Sequence, residues 1–397
     1  MKILIAEDER VSRRLLESRL KKWGYEVTTA EDGAEAWEYF QQEHYPMVIS
    51  DWMMPKMDGL ELLRRIRAYD RPGYVYMILL TARSEKEDIL AGMESGADDF
   101  ITKPFDKDEL MARLKVGIRI TDLERDLAER NRELEKVNER MRRDLEAAAR
   151  IQQSLLPTQL PEAEGVAFAW KYDPCDELAG DTLNIFNLDE KHIGLYLLDV
   201  SGHGVPAALL SVNLSRILTP NPGQSDLLKR PCPDQPGYCL VPPEEVANQL
   251  NQRFPLDSNT EQYFTIQYAQ LDIEQKLLTY ISAGHPPMIH LKADGSAESL
   301  QVRSLPIGFL VDVDKVYDEE ELSLQPGERL YFYSDGIIEA ADPQNEQFGV
   351  ERLKECLNQA RTLPLAESLE EVCHKLEIWT AGRGCNDDVS LLALEIQ

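Results

Sequence analysis

No apolar run in the sequence approaches the roughly 18 residues a membrane-crossing helix needs, so no span is expected. The opening MKILIAEDER meets acidic residues after one short apolar stretch and lacks the long core of a signal peptide. Basic residues are in deficit, 43 Lys and Arg against 71 Asp and Glu, for a net charge of −28. That balance argues against a DNA-reading domain, which needs concentrated cations to meet phosphates. Cysteine is sparse, six in 397 residues, and no paired spacing suggests zinc. Cys232 and Cys239 fall in a proline-rich stretch. With no export signal, the expectation is a cytoplasmic chain whose thiols stay reduced.

What is present describes a globular protein: 43% hydrophobic and 29% charged residues, in a length that suits two or three domains. The first 118 residues alternate short apolar strands with amphipathic helices. KILIA (2–6), YEVTTA (25–30), MVIS (47–50), YMILL (76–80) and DFIT (99–102) read as strands. Helical patterns begin near Ser12, Gly33, Gly59, Lys86 and Lys107. A five-fold βα alternation predicts an α/β doubly wound domain with a five-stranded parallel sheet, whose sites form at the carboxyl ends of strands.

Residues 119–156 contain neither proline nor glycine. With Ile120 at heptad position a, Leu127, Leu134, Met141, Ala148 and Leu155 follow at a, and Leu123, Arg130, Val137, Asp144 and Ile151 occupy d. Apolar spacing of three and four over five heptads predicts a coiled-coil linker and a homodimer through it. Nine basic residues balance nine acidic ones here, so the net acidity lies in the flanking domains. The alternative is a single solvated helix.

Residues 157–397 are rich in alternating strands: 170–174, 192–200, 263–272, 276–283, 288–293, 328–335 and 388–396. Helical patterns fall at 206–218, 243–254, 349–360 and 366–379. This predicts an α+β β-sandwich flanked by helices. The stretch 220–243 is broken by proline and reads as a surface loop.

Two constellations carry chemistry. In the first, Glu7 and Asp8 follow the first strand and Asp51 the third, bringing three carboxylates to neighbouring strand ends. Such a group repels itself unless a cation binds, and its oxygen donors suit Mg²⁺. Thr81 ends the fourth strand and Lys103 follows the fifth, so a hydroxyl and an ammonium are placed to hold phosphate oxygens on Asp51. "AED", "SDWMMPKMDG", "LLTA" and "GADDFITKPF" resemble response-regulator receiver domains across 1–118. The resemblance implies phosphorylation at Asp51 by a sensor histidine kinase or phosphotransfer protein. It also implies Mg²⁺ on Glu7, Asp8, Asp51 and the Met53 carbonyl, switch residues Thr81 and Phe100, and Lys103 on the phosphate.

In the second, Asp199 ends a strand in LLDVSGHG, Asp335 ends another in LYFYSDG, Asp181 precedes a strand-like LNIFNL, and Asp387 and Asp388 open the last strand. Acidic strand ends so distant in sequence predict a hard-metal hydrolytic centre that needs no activated serine. Ser201 and His203 have no triad spacing and read as turn residues. "ARIQQSLLP", "AGD", "DVSGHGVPAALLS", "SAGHPP", "LPIGF", "LYFYSDGIIEA", "FGVERL" and "NDDVSLL" match in order the SpoIIE/RsbU-type branch of the metal-dependent (PPM) protein phosphatases, which this segment resembles.

The resemblance implies two Mn²⁺ or Mg²⁺ ions on Asp181, Asp199, the Val200 carbonyl, Asp335 and Asp387, with Asp387 favoured over Asp388. His203 and His285 are read as ordering turns. It further implies a phosphoserine protein substrate of the anti-sigma-factor-antagonist type. Ala179-Gly180-Asp181 replaces the usual Gly-Gly-Asp, and Leu183-Asn184 replaces Tyr-Asp, removing a charge near the metals. The rival expectation is therefore a phosphorylation-controlled scaffold without hydrolysis.

Overall fold

The computed structural model describes residues 1–70, 73–82, 95–202, 204–221, 223–232, 237–256, 262–301, 304–309 and 317–397. The chain divides into two compact units, residues 1–140 and 141–397.

In the first unit, β1 (Lys2–Ala6), β2 (Glu26–Ala30), β3 (Met47–Asp51), β4 (Tyr76–Thr81) and β5 (Asp99–Thr102) form one parallel sheet in the order β2-β1-β3-β4-β5. α1 (Arg10–Lys22), α2 (Gly33–Gln42) and α3 (Gly59–Ala68) cover it. The helix expected near Lys86 lies outside the described residues. Strand side chains alternate between two cores. Leu4, Val48, Met77 and Leu79 pack on one face, and Ile3, Ile5, Ile49, Ile78 and Leu80 on the other. Burial on both faces explains why these strands are continuous apolar runs. Asp32 caps α2 by accepting from the Ala34 and Glu35 amides.

The helix α4 runs from Lys107 to Gln153 without a break. Its first turns bury Leu110 and Leu114 in the core beside β4 and β5. No glycine or proline interrupts it after Gly117, so the final helix of the first unit simply continues through residue 119. Leu155, assigned to an a position, falls beyond the helix end.

The second unit is a sandwich of two antiparallel five-stranded sheets. One has the order β15 (Glu320–Ser323), β12 (Leu277–Ala283), β11 (Phe264–Asp272), β8 (His192–Val200), β7 (Thr182–Asn187). The other runs β14 (Ala297–Leu300), β13 (Met288–Leu291), β16 (Arg329–Tyr333), β17 (Val389–Ile396), β6 (Val166–Asp173). Leu183, Leu195, Leu197, Phe332 and Leu392 fill the space between the sheets. Each such side chain, fully buried, contributes about 1.5–3 kcal/mol of hydrophobic transfer. On the outer faces, α5 (Val205–Ile217) and α6 (Pro243–Arg253) cover the first sheet, and α8 (Gly349–Gln359) and α9 (Leu365–Trp379) the second. A short α7 (Asp335–Ile338) follows β16.

Two expectations are corrected. Part of the 220–243 stretch is regular: β9 (Lys229–Pro231) and β10 (Tyr238–Leu240) pair as a hairpin, anchored by fully buried Leu227 and Leu228. That hairpin joins Cys232 to Cys239 in a disulfide, with their Cα atoms 5.1 Å apart, so these two cysteines are not reduced. Compartment reasoning overlooked that antiparallel pairing sets Cys239 opposite Arg230 and Cys232 against Gly237, which makes the two cysteines diagonal neighbours across the hairpin. The remaining four cysteines are free.

Candidate metal centres

In the first unit, β1 and β3 are adjacent and parallel, so their carboxyl ends deliver Glu7, Asp8 and Asp51 to one place. One carboxylate oxygen from each lies within 4.8 Å of the others. Lys103 closes the group, with Nζ 2.7 Å from Glu7 Oε2 and 2.6 Å from Asp51 Oδ2. Burial raises the Glu7 carboxyl, opposed by the Lys103 ammonium. Burial acts to lower the Lys103 ammonium, but its hydrogen bonds to Asp51 and Glu7 leave it raised. Thr81 is buried at the end of β4, and its carbonyl accepts from the Lys103 amide. Phe100 is half-buried, and the Met53 side chain is exposed. Gly59 is dictated by packing: a Cβ there would sit 2.2 Å from the Asp51 carbonyl oxygen.

In the second unit, the predicted acids come to one end of the sandwich from both sheets. Asp388 is buried, and its two oxygens accept from the amides of Cys175, Gly180 and Asp181. It therefore holds the loop that carries Asp181. Asp387, beside it, is exposed, and its Oδ1 accepts from the Asp388 amide. Asp181 is buried and accepts from Ser390 Oγ at 2.5 Å. Ser334, just before Asp335, donates to the Asp388 carbonyl and accepts from the Ser390 amide. A Cβ on Gly336 would lie 2.2 Å from the Asp388 carbonyl oxygen. Thus Ser-Asp-Gly ends β16 because Ser334 and Gly336 pack on the main chain of the Asp388 strand, leaving Asp335 at the start of α7.

The electrostatics tie these groups together. Burial and then the charges of Asp335, Asp387 and Asp388 push the Asp199 carboxyl up to about 7. Asp335 is pushed up to about 6 by burial and then by Asp387 and Glu339. Asp181 is raised by burial, then by Asp199 and Asp388. In this unit Cys175, Asp387 and Asp388 bring one ligand atom each within 4.8 Å of the others; Asp181, Asp199 and Asp335 lie outside that group and join it by charge. A set of crowded, hard oxygen donors whose ionisation is resisted fits divalent cations.

A pH prediction follows. Both folded carboxyls titrate above the ordinary 3.8, so the fold holds protons that the unfolded chain releases. Their stabilising contribution is complete below that ordinary value and is lost as pH rises through about 6 to 7. In EDTA, the second unit should melt at a lower temperature at pH 8 than at pH 5.5, and excess Mn²⁺ should reverse the order. Equal melting temperatures in EDTA would contradict the crowding of these acids.

Leu183 is fully buried between the sheets, and Asn184 pairs with Tyr196 in the β7–β8 ladder, well short of Asp199 on that strand. Gly180 is constrained, since a Cβ would lie 2.7 Å from the Val200 carbonyl oxygen. Ala179 is buried without such a conflict. His203 lies outside the described residues.

Gln152 has a role that the sequence reading missed. In the last turn of α4 it is buried, with Nε2 2.7 Å from the Ala179 carbonyl and 2.9 Å from Ser211 Oγ. Its Oε1 accepts from the Ala179 amide, so the helix end holds the residue two before Asp181. The IQQ within ARIQQSLLP was the only signal, and it carried no chemistry by itself.

An acid cluster closed by lysine on a parallel sheet, and a second across a helix-covered sandwich, define a receiver domain joined to a PP2C-type phosphatase domain. Residues 189–397 match the family model for stage II sporulation protein E (SpoIIE), and the chain belongs to that family. Residues 3–115 match the response regulator receiver domain. The probable transcriptional regulator ycf27 of Cyanophora paradoxa is 45% identical over 121 residues, 30% of this chain and 49% of that protein. Phosphoserine phosphatase RsbP of Bacillus subtilis (strain 168) is 26% identical over 256 residues, 64% of this chain and 58% of that protein. The chain thus spans about half the length of the curated relatives it matches. Among solved structures, the SiaA-PP2C domain of Pseudomonas aeruginosa shares the fold at a TM-score of 0.53 and 20% identity, covering 66% of this chain and 99% of that one. Among the described residues, no helix is long and apolar enough to cross a membrane.

Proposed function

We propose that phosphorylation at Asp51 controls a Mn²⁺- or Mg²⁺-dependent serine/threonine phosphatase in the second domain. The observation that carries this reading is the convergence of Asp199 and Asp335, from different sheets, with Asp181 and Asp387 at one end of the sandwich. Asp181, Asp199, Asp335, Asp387 and the Val200 carbonyl would hold two cations. Glu7, Asp8, Asp51 and the Met53 carbonyl would hold Mg²⁺ in the receiver. Bound divalent ions supply a hydrolytic nucleophile at neutral pH and offset phosphate charge. The protein's own share is positional: Asp388 fixes the Asp181 loop, and Ser334 fixes the turn bearing Asp335.

The substrate class is a phosphoserine protein, a reading supported by the likeness to the phosphoserine phosphatase RsbP, and its anti-sigma-factor-antagonist type follows from the SpoIIE/RsbU-type motifs alone; the phosphodonor is a sensor kinase or phosphotransfer protein. The seam of α4 supports a homodimer. Leu123, Leu127, Leu134, Val137 and Met141, all a or d residues, are exposed. A second copy of the same helix covers such a stripe. The scaffold alternative loses its main support, because neither Leu183 nor Asn184 is placed among the acids. The test is Mn²⁺-dependent release of phosphate from a phosphoserine protein by the full chain; no release at saturating metal would refute the reading.

Receiver control has its own expected result. An acyl phosphate, or beryllium fluoride with Mg²⁺, should change phosphatase turnover severalfold in the parent, whereas the treated-to-untreated ratio in Asp51→Ala should be near one. A response retained by Asp51→Ala would place the acceptor elsewhere.

A further inference from the structure

We propose that His285 is a positioning residue of the phosphatase centre, bracing the two sheets so that Asp199 and Asp335 keep the separation the cations require. The inference rests on the phosphatase reading above. His285 lies in the short connection from β12 to β13, where the chain leaves one sheet for the other. The connection is tightly built. Gly284 has φ +68°, and a Cβ there would sit 2.6 Å from the Pro306 side chain. Ser282 Oγ donates to the His285 carbonyl, and Gln267 Nε2 donates to the Pro286 carbonyl.

The imidazole is buried, 6% exposed. Its Nδ1 lies 2.7 Å from Thr265 Oγ1. Thr265 is directly opposite Asp199 in the antiparallel β8–β11 ladder, so the two side chains emerge as neighbours on one face. On the other sheet, the main chain of Tyr333, two residues before Asp335, lies close enough to act on the ring and favours its charged form. Nε2 has no hydrogen bond of normal geometry. Burial dominates, holding the imidazole down to about 3, so it is neutral wherever the enzyme works. A neutral ring adds no cation to compete with metal beside the acids. It also takes no place among the tight ligand groups. A purely structural histidine needs neither the Thr265 link beside Asp199 nor the proximity to Tyr333. A brace needs both.

The test uses the full chain with His285→Leu, His285→Asn and Thr265→Val. Two readouts are taken against Mn²⁺ concentration: the metal-induced rise in melting temperature, and phosphate release with kcat and KM separated. His285→Leu and Thr265→Val should need about ten times more Mn²⁺ for half-maximal effect in both readouts, with substrate KM little changed. His285→Asn, which keeps a polar group near the Nδ1 position, should recover part of the loss. Parent-like Mn²⁺ dependence in either His285→Leu or Thr265→Val would overturn the brace. If His285→Leu fails to fold, Thr265→Val decides alone. A parent that shows neither Mn²⁺ stabilisation nor hydrolysis would overturn the phosphatase reading and this inference with it. A Mn²⁺-responsive parent with unaltered variants would overturn only this inference.

Discussion

Asp335→Asn should lower phosphatase turnover by about a hundredfold or more at saturating Mn²⁺, because it removes an anionic donor from the proposed site. The same change should not lower the melting temperature in EDTA. Its carboxyl is raised by burial and by Asp387 and Glu339, so an uncharged amide relieves repulsion in the metal-free fold. Ser334 and Gly336, which make the local packing, are untouched. Asp388→Asn should behave in the opposite way. Asp388 is buried and takes three main-chain amides on its two oxygens, whereas an asparagine has one accepting oxygen. Leaving a buried amide unpaired costs about 1–3 kcal/mol, so this variant should melt earlier even in EDTA. Turnover near the parent value in Asp335→Asn would remove it from the site. An unchanged melting temperature in Asp388→Asn would deny that carboxylate its structural role.

The contrast between these adjacent acids shows how far sequence reasoning reaches. Strand ends were legible because a strand leaving an apolar core must turn polar, and the receiver strands β1, β3 and β4 are apolar over nearly their whole length. All five receiver strands, and β8, β11, β12 and β17 of the sandwich, were located within a residue of their observed limits. The division of labour between Asp387 and Asp388 was not legible. It depends on which carboxylate faces the amides of Gly180 and Asp181, more than two hundred residues earlier in the chain. Gln152 was hidden for the same reason, since its partners at Ala179 and Ser211 are tertiary neighbours. The edge strands β14 and β15, AESL and EELS, are four residues each and too polar to show alternation. The β9–β10 hairpin was masked by its prolines, which an edge pair tolerates. The end of α4 was overshot because apolar spacing persists to Leu155, past the last helical residue.

Inserting four residues after Glu133 should uncouple or invert Asp51-dependent control, whereas inserting seven should preserve it. The helix α4 is continuous from Lys107 to Gln153. At its start, Leu110 and Leu114 are embedded in the receiver core; in its last turn, Gln152 is bonded to the main chain beside Asp181. Between them Leu123, Leu127, Leu134, Val137 and Met141, all a or d residues, are exposed, and the proposed dimer would pair them with a second copy. In the proposed dimer Arg130 and Asp144 would occupy d positions and weaken the seam, so that alternative pairings of the two helices would differ little in energy, as a switch requires. Seven residues restore the a/d phase below the insertion, while four rotate the downstream seam relative to the upstream one. Control is measured as the ratio of phosphatase turnover with and without acyl phosphate, and dimerisation by sedimentation. A seven-residue variant with the parent ratio and a four-residue variant with a ratio near one, or reversed, would support a rotational coupling. If both insertions respond like the parent, α4 acts only as a tether, and the exposed seam serves dimerisation without carrying the signal.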